Sequence, residues 1–298
     1  MTEQPRMSVD EEYARHRGLV IRVAYDVTGS WVDAEDIAQQ TYVRWRNAHQ
    51  PVHNARAYLA RIAINLALDT VARREKVGYP GPFLPEPVAT GQGTTDALDD
   101  AAEVEAALMV VLGTLSPLER AAFLLHDVFS FTHAEIGVML DREPAAIRQL
   151  TSRARSHVAA RRPDPSRIDR TELVALTERF LAAARTGDLA GLTAHLTDDV
   201  VFIADGGGRR AAAMRPVRGG DKVGRLLLGL AKKVTDTWRL VPIEVNHRLA
   251  IAIFDGDTLD QVLWFVFRDG RIAQALSVRN PDKLVGVTDT LRAMGHVD

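Results

Sequence analysis

Apolar side chains recur with a helical period in three stretches of the first 77 residues, and this period predicts three α-helices. The first predicted helix covers residues 12–28 and ends at Gly29. The second begins at Asp33, whose carboxylate we expect to cap it. The third covers residues 55–74 and exposes a polar line that consists of Arg56, Arg61, Asn65, Asp69, Arg73 and Arg74.

Two further helices joined by a tight turn are predicted within residues 131–162, after supporting helices at 104–113 and 117–127. The buried sides consist of Ile136, Val138, Met139 and Leu140 in the first helix and Ile147, Leu150, Ala154 and Val158 in the second. Pro144 suits the first turn of the second helix. The outward side chains suit phosphate oxygens and base edges, namely Arg148, Gln149, Ser152, Arg153 and Arg155. This pattern favours a DNA-binding helix-turn-helix over a surface helix with a solvated arginine face.

The pattern changes after residue 169, where two helices precede a series of strands. The helices are predicted at 171–186 and 189–196, and the strands at 200–203, 238–245, 248–254, 261–267 and 271–278. Helices followed by strands predict an α+β domain with a curved antiparallel sheet. Residues 78–102, which are rich in Pro and Gly, form a predicted linker, and a shorter linker covers residues 163–168.

The composition of two short segments is more informative about function than that of the whole chain. A chain of 298 residues suffices for two or three domains. It has neither a membrane-length apolar run nor a signal-peptide pattern, so we expect a cytoplasmic protein without membrane contact. The net charge is −2, but residues 44–76 carry seven Lys or Arg against two acids, and residues 143–162 carry five against one. These two basic islands indicate two separate contacts with DNA.

Two stretches resemble a known family. The sequence DAEDIAQQTYVRWR, followed by RAYLARIAINLALDTVARR, resembles region 2 of extracytoplasmic-function (ECF) RNA polymerase sigma factors. LSPLERAAFLLHDVFSFTHAEIGVMLDREPAAIRQLTSRAR resembles their region 4. The resemblance implies that the chain binds core RNA polymerase through the β′ coiled coil and the β flap, and that it recognises promoter DNA.

The resemblance also implies roles for individual side chains. Polymerase contacts would come from Asp33, Asp36, Gln39 and Gln40. The −10 element would be contacted by Arg56, Arg61, Asn65, Arg73 and Arg74, and the −35 element by Arg148, Gln149, Ser152, Arg153 and Arg155. Ala145-Ala146 departs from the Gly-Thr of many relatives, which puts one phosphate contact in doubt.

Three short motifs resemble those of the SigJ-like branch, whose members carry a fused SnoaL-like domain of the NTF2 cone type. They are FLPEP in the first linker, DGGG after the first predicted strand and NPDKL after the last one. We expect the two later motifs to bind the first, through Phe83, Leu84, Pro85, Asp205, Gly206, Gly207, Gly208, Asn280, Pro281, Asp282, Lys283 and Leu284. The resemblance implies that this domain regulates the factor in cis, and it implies no dedicated anti-sigma factor.

Catalysis is not expected. Asp205, His195 and His247 are the acid or base candidates within the predicted cone, and each has a simpler structural explanation. The chain contains no Cys and no His-x-x-x-His pair, so neither a metal nor a cofactor is predicted, and whether the domain binds a small molecule stays open.

The predicted architecture is multidomain, with two all-α sigma domains followed by an α+β NTF2/SnoaL-like cone. Its boundaries are 8–77 for the region 2 helical bundle, 78–102 for the linker, 103–162 for the region 4 helix-turn-helix, 163–168 for the second linker and 169–298 for the cone. The predicted function is that of an alternative sigma factor. The alternatives are a one-component helix-turn-helix regulator with a ligand-sensing cone, and a SnoaL-like isomerase or hydrolase with a helical tether.

Overall fold

The structure is a computed structural model that describes residues 8–48, 52–90, 106–160, 170–233 and 235–295. The parts of the two predicted linkers at 91–102 and 163–168 lie outside these residues. The chain divides into two units. The helical unit is formed by described residues of 8–78 and 108–160, and the C-terminal unit by 79–90, 170–233 and 235–295. We call residues 79–90 the linker segment.

The first three helices of the helical unit are α1 (Val9–Thr28), α2 (Trp31–Arg46) and α3 (Ala55–Val77). Ser8 and Glu11 form a reciprocal capping box that starts α1, and Gly29, in the left-handed conformation, ends it. The prediction that Asp33 caps α2 is wrong. Ser30 is the cap, and its side chain accepts a hydrogen bond from the Asp33 amide. All three helices pack together through apolar faces that include Val20, Ala38 and Ala63.

The helix-turn-helix follows as α4 (Ala106–Leu112), α5 (Pro117–Phe123), α6 (His133–Leu140) and α7 (Pro144–Ala159), with a π-helical turn at Leu124–Val128. Capping boxes start α5 and α6, and Asp141 ends α6 in the left-handed conformation. Pro144 lies in the first turn of α7, as predicted. The predicted burial of Val138 is wrong, because this side chain is 66% exposed on the outer side of α6.

The C-terminal unit is a mixed sheet with helices. Its elements are α8 (Arg170–Thr186), α9 (Leu189–Thr193), β1 (Leu196–Asp205), β2 (Val217–Arg218), α10 (Gly220–Ala231), β3 (Trp238–Val245), β4 (Arg248–Asp255), β5 (Thr258–Arg268), β6 (Arg271–Val278) and α11 (Val285–Ala293), with a 3₁₀ turn at Pro281–Lys283. The strand order is β2-β1-β6-β5-β4-β3. The predicted all-antiparallel sheet is wrong at one place, because β1 pairs in parallel with β6.

One core of the C-terminal unit lies where helices cover the sheet. Phe202, Ala204 and Ala275 from β1 and β6 pack with Leu192 of α9 and Val223 of α10. The strands that supply Phe202 and Ala275 were predicted from the sequence, whereas β2, α10 and α11 were not. The ends of β1 and β6 bring Asp205 close to the Asn280 turn, since Asp205 pairs with Val278 in the parallel register.

Candidate functional site

The outward side of α7 carries the residues predicted to contact DNA. Arg148, Gln149, Ser152 and Arg153 are exposed and line one open concavity together with Ala145. This side is held in place by the inward residues of the same helix, of which Ile147 and Ala154 are fully buried and Val158 is nearly so. Packing of the inward side therefore fixes the direction in which the outward residues point, and a helix that binds in a DNA groove requires such a fixed orientation.

Two arginines of this row already pair with carboxylates. The Arg153 guanidinium lies 3.1 Å from Glu119 of α5, and Arg155 lies 2.8 Å from Asp127 in the π-helical turn. Both arginine side chains are at least half exposed, so solvent screens each pair and the pair contributes little to stability.

His133, at the start of α6, lies close to another histidine and to α7. The ring of His133 lies 4.1 Å from that of His126, and its Nε2 is 3.3 Å from the Thr151 hydroxyl oxygen. Partial desolvation, followed by the charges of His126, Arg148 and Arg155, lowers the pKa of His133. The neutral form is therefore favoured beside the arginine row.

The predicted −10 residues on α3 are not one exposed line, contrary to the expectation. Arg61 and Arg73 are exposed, but Arg56, Asn65 and Arg74 are half-buried. Arg74 donates to the Thr28 carbonyl oxygen at 2.7 Å and to Asp33 at 2.6 Å, so it ties α3 to the junction of α1 and α2. That position suits a structural role within the helical unit.

The other two half-buried residues bind the helix-turn-helix. Arg56 donates to the Phe129 carbonyl oxygen, and its guanidinium carbon lies 4.1 Å from the centroid of the Phe131 ring. The Asn65 amide donates to its own helix at Arg61 and to the Met139 carbonyl oxygen at 3.2 Å. The part of α3 predicted to read the −10 element is thus partly covered by the region around α6.

The predicted polymerase-binding residues divide into two groups. Asp36, Gln39 and Gln40 are exposed on one side of α2, and the exposed Val32 and Val43 flank them along that side. Their spacing produces a polar strip with apolar ends. Asp33, in contrast, is half-buried and pairs with Arg74.

The carboxylate of Asp205, at the end of β1, is the centre of the site that binds the linker segment. It is fully buried. Its Oδ1 accepts hydrogen bonds from the Tyr79 hydroxyl at 2.6 Å and the Gly207 amide at 3.0 Å. Its Oδ2 accepts from the Leu84 amide at 2.9 Å and the Lys283 ammonium at 2.8 Å. Four donors therefore satisfy one carboxylate, and two of them belong to the linker segment.

Lys283 supplies the positive charge of this site. Its buried ammonium donates to the Leu84 carbonyl oxygen as well as to Asp205, so the lysine bridges the linker segment and β1. The same nitrogen lies 3.2 Å from the centroid of the Phe83 ring and 5.1 Å from that of Tyr79. Charge pairing and the negative faces of two aromatic rings both favour the ammonium here.

The glycine turn after β1 lets other groups approach closely. Gly207 and Gly208 have φ angles of 57° and 71°, in the left-handed region. A Cβ at Gly207 would lie 2.3 Å from the Asn280 side-chain nitrogen, and one at Gly208 would lie 3.0 Å from Pro80. The same Asn280 nitrogen donates to the Tyr79 hydroxyl at 3.0 Å. The glycines are therefore required by both backbone conformation and space.

The middle of the linker segment is buried. Leu84 is 1% exposed, and the three residues after it, Pro85, Glu86 and Pro87, are buried as well. Burying a leucine side chain contributes about 1.5–3 kcal/mol. The two prolines carry no N–H group, which leaves fewer backbone donors to satisfy in this buried stretch.

The far end of the linker segment extends the sheet at its edge strand, β3. The Val88 carbonyl oxygen accepts from the Asn246 amide at 2.8 Å, and the Thr90 amide donates to the Glu244 carbonyl oxygen at 3.0 Å. The Asn246 side chain also accepts from the Val88 amide at 2.9 Å. This is β-strand addition to an open sheet edge, a common way of binding an extended peptide.

The structure thus brings together part of the predicted linker-binding set. Phe83, Leu84, Asp205, Asn280 and Lys283 make the contacts described above. Pro281 and Asp282 are exposed, with Asp282 paired to Arg209, while Gly206, Pro85 and Leu284 are buried. Sequence reasoning missed several residues, which are Tyr79, Pro80, Val88, Thr90 and Asn246. Tyr79 was detectable as an aromatic residue in a stretch rich in Pro and Gly.

The acid or base candidates occupy structural positions. His195 lies between α9 and β1, and His247 lies in the turn between β3 and β4, where its amide donates to the Thr90 hydroxyl. Among the described residues there is no group of three or more His, Asp or Glu side chains placed to hold a metal ion. Across the same residues, every helix is too short or too polar to span a membrane.

Comparisons with known proteins match both units. The Sigma-70 region 2 family matches residues 13–77, and the Sigma-70 region 4 family matches residues 105–158. The chain is 36% identical over 295 residues to the ECF RNA polymerase sigma factor SigJ of Mycobacterium tuberculosis, with 92% of this chain and 93% of the relative covered. It is 27% identical to the probable ECF RNA polymerase sigma factor SigI of the same species, with 96% of each chain covered.

The solved structure of the first of these relatives also matches this chain. The crystal structure of the M. tuberculosis ECF sigma factor SigJ superposes with a TM-score of 0.72 at 35% sequence identity. The superposition covers 94% of this chain and 99% of that one, so it includes the C-terminal unit as well as the helical unit.

Proposed function

The chain belongs to the extracytoplasmic-function (ECF) family of RNA polymerase sigma factors, and from this premise we propose that its C-terminal unit controls promoter recognition in cis by binding the linker segment. An alternative sigma factor acts with core RNA polymerase on promoter DNA. The observation that carries the proposal is the buried Asp205 carboxylate, which shares its hydrogen bonds between the C-terminal unit and the linker segment.

The DNA contacts in this proposal come from α7 and α3. The exposed row Arg148, Gln149, Ser152, Arg153 and Arg155 contacts the −35 element. Arg61 and Arg73 are exposed towards solvent and contact the −10 strand. Arg56 and Asn65 reach bases only after they release the Phe129 and Met139 carbonyl oxygens. Reading the −10 element therefore requires region 2 to separate from region 4.

The exposed strip of α2 is the proposed contact with core polymerase. Asp36, Gln39 and Gln40 offer polar groups, and the flanking Val32 and Val43, each 56% exposed, add apolar contacts at the two ends of the strip. Asp33 acts indirectly in this proposal, because its pair with Arg74 orients the start of α2 against the end of α3.

Binding of the linker segment shortens the free tether between the two DNA-reading regions. From the end of α3 at Val77 to the start of α4 at Ala106, the chain has 28 intervening residues, of which the linker segment holds twelve. A fully extended chain spans at most about 3.3–3.6 Å per residue. Holding twelve residues in one fixed conformation leaves sixteen others to set the variable part of the tether, and these span at most roughly 55 Å. The C-terminal unit acts in this proposal by setting how far region 4 can move from region 2.

The test is run-off transcription with purified core polymerase on a library of randomised promoters. The double variant Phe83→Ala/Leu84→Ala removes the aromatic ring over Lys283 and the buried leucine. We expect it to change the yield or spacing preference of initiation while binding to core polymerase persists. The control is Val77→Ala/Val285→Ala, which also truncates two apolar side chains but at exposed positions.

Two outcomes would contradict different parts of the proposal. If the double variant initiates like the wild type, the linker segment does not control initiation. If the wild-type chain directs core polymerase to no specific start site, the assignments of the promoter-reading residues are wrong as well.

A further inference from the structure

The C-terminal unit contains a basic segment that the proposed function does not use. Residues 209–233 carry eight Lys or Arg and one acidic residue, Asp221, whereas the whole chain has a net charge of −2. This segment includes β2 and α10 and lies outside both basic stretches of the sigma regions.

The orientation of α10 is fixed by its inward side. Val223 is fully buried and Leu227 is 7% exposed in the core shared with β1. A Cβ at Gly224 would lie 2.8 Å from a Thr193 methyl carbon of α9, so the two helices touch closely at that glycine. The opposite side of α10 must therefore face outward.

The outward side is a cationic stripe, which consists of Lys222, Arg225, Lys232 and Lys233. At 3.6 residues per turn these positions fall within about 100° of the helix circumference, with the last two residues in the turn that ends α10. All four residues are exposed in the full chain.

Little negative charge opposes the stripe. Asp221 pairs with Arg225 at 3.1 Å and is exposed. Lys222, Lys232 and Lys233 make no ion pair with any residue that the structure describes. Three further exposed arginines precede the helix at positions 210, 215 and 218. A row of exposed cations opposed by a single carboxylate attracts a polyanion.

We propose that the cationic stripe binds the phosphate backbone of duplex DNA, without reading sequence, as a third DNA contact of this chain. From Lys222 to Lys232 the stripe is about 15 Å long at 1.5 Å per residue, which corresponds to the rise of about four base pairs along a duplex axis at 3.4 Å each. The segment 209–233 has no aromatic residue on which unpaired bases would stack, so a duplex suits it better than a single strand.

The test uses the full chain without polymerase and a 40-base-pair duplex of arbitrary sequence, so it does not depend on the proposed regulation. Binding is measured by fluorescence anisotropy between 50 and 200 mM NaCl. In the triple variant Lys222→Gln/Lys232→Gln/Lys233→Gln, we expect affinity to fall about tenfold or more and the slope of log K against log salt to become shallower by about 2.7, at 0.9 per lost phosphate contact.

A matched control removes the same charge elsewhere. Arg268, Arg271 and Arg292 are each exposed and lie beside an aspartate. Their triple replacement by Gln should leave the salt slope unchanged. Melting temperatures of both variants should stay close to that of the wild type, because every substituted side chain is exposed.

Several results would overturn the proposal. An unchanged slope in the stripe variant, an equal change in the control, or no duplex binding by the wild type at 50 mM salt would each do so. A stripe variant that binds the duplex normally but loses core polymerase in a pull-down would instead assign the stripe to an acidic protein surface.

Discussion

The ion pair Arg22–Asp26 in the helical unit and the ion pair Lys283–Asp205 in the C-terminal unit are both buried, but their carboxylates meet different numbers of donors. Arg22 and Asp26 lie one turn apart on α1, 3.2 Å from each other. Asp26 Oδ1 has no hydrogen-bond partner in the part of the chain that the structure describes. Burial raises the pKa of Asp26 to about 6, against the opposing effect of Arg22.

Asp205 is equally buried, yet four donors surround it, and three of them belong to residues that are distant in sequence. Its two linker donors, Tyr79 and Leu84, precede it by more than 120 residues. A buried charge is costly unless its hydrogen-bonding capacity is filled, and here the linker segment fills it. The linker segment thus completes the core of the C-terminal unit, whereas the pair in α1 is a local feature of one helix.

The largest expected effect is that of Asp205→Ala. This change leaves the Lys283 ammonium buried without its carboxylate and removes two anchors of the linker segment. We expect the unfolding free energy of the C-terminal unit to fall by about 3–5 kcal/mol. Hydrogen exchange of the β6 amides measures this loss. Asp282→Ala breaks an exposed pair with Arg209 and should cost less than about 1 kcal/mol. If the two variants lost equal unfolding free energy, the expected difference between the buried and the exposed carboxylate would be contradicted.

A smaller effect is expected from the pH dependence of Asp26. Because the folded pKa is raised to about 6, the folded state holds this proton more tightly than the unfolded state does. The stabilising contribution is therefore present below about pH 4 and is lost as the pH rises through about 6. In the wild type, relative to Asp26→Asn, the unfolding free energy of the helical unit should fall by up to about 3 kcal/mol over this range. If the difference in unfolding free energy between the wild type and Asp26→Asn stayed constant from pH 4 to pH 7, this prediction would be contradicted.

Local signals predicted most of the fold. The helical period located α1, α2, α3 and α7, and the capping box at Ser116 marked the start of α5, because these signals need only neighbours along one helix. The cap of α2 was misplaced because Ser30 and Asp33 are both good capping residues three positions apart. Periodicity does not choose between them.

Features that depend on distant partners were not predictable in the same way. A strand pattern shows which side chains face the core, but not that β1 pairs in parallel with β6. Arg56 and Asn65 were expected to be exposed because nothing in α3 indicates that residues 129–131 contact Arg56 and that α6 contacts Asn65. The motifs around Asp205, Asn280 and Phe83 pointed to a shared site only through the family resemblance. The spacing of the motifs did not reveal the role of Tyr79.

Tyr79→Phe tests how much a single hydroxyl donor contributes to the site around Asp205. The hydroxyl donates to Asp205 and accepts from Asn280, so its loss removes one of four donors from a buried carboxylate. A hydrogen bond to a charged group contributes about 1.5 kcal/mol or more. The neighbouring Leu84 amide, which donates to the same carboxylate, should then exchange its hydrogen about tenfold faster, since 1.4 kcal/mol corresponds to a factor of ten.

The control for this prediction is Tyr42→Phe. Its hydroxyl donates to Asp10 at 3.0 Å in an exposed position of the helical unit. The chemical change is the same, but no buried carboxylate loses a donor. Faster exchange at Leu84 in this control would show that the effect does not arise at Asp205.

The smallest expected change in stability is that of Asp127→Asn, which breaks a partly exposed pair with Arg155 of α7. Because solvent screens this pair, the unfolding free energy should change by less than about 1 kcal/mol, which a melting curve of the full chain measures. The same change frees the Arg155 guanidinium from a carboxylate that competes with phosphate, so affinity for a duplex carrying the −35 element should rise. Unchanged affinity would mean that Arg155 does not contact DNA, and that its pair with Asp127 serves only to orient α7.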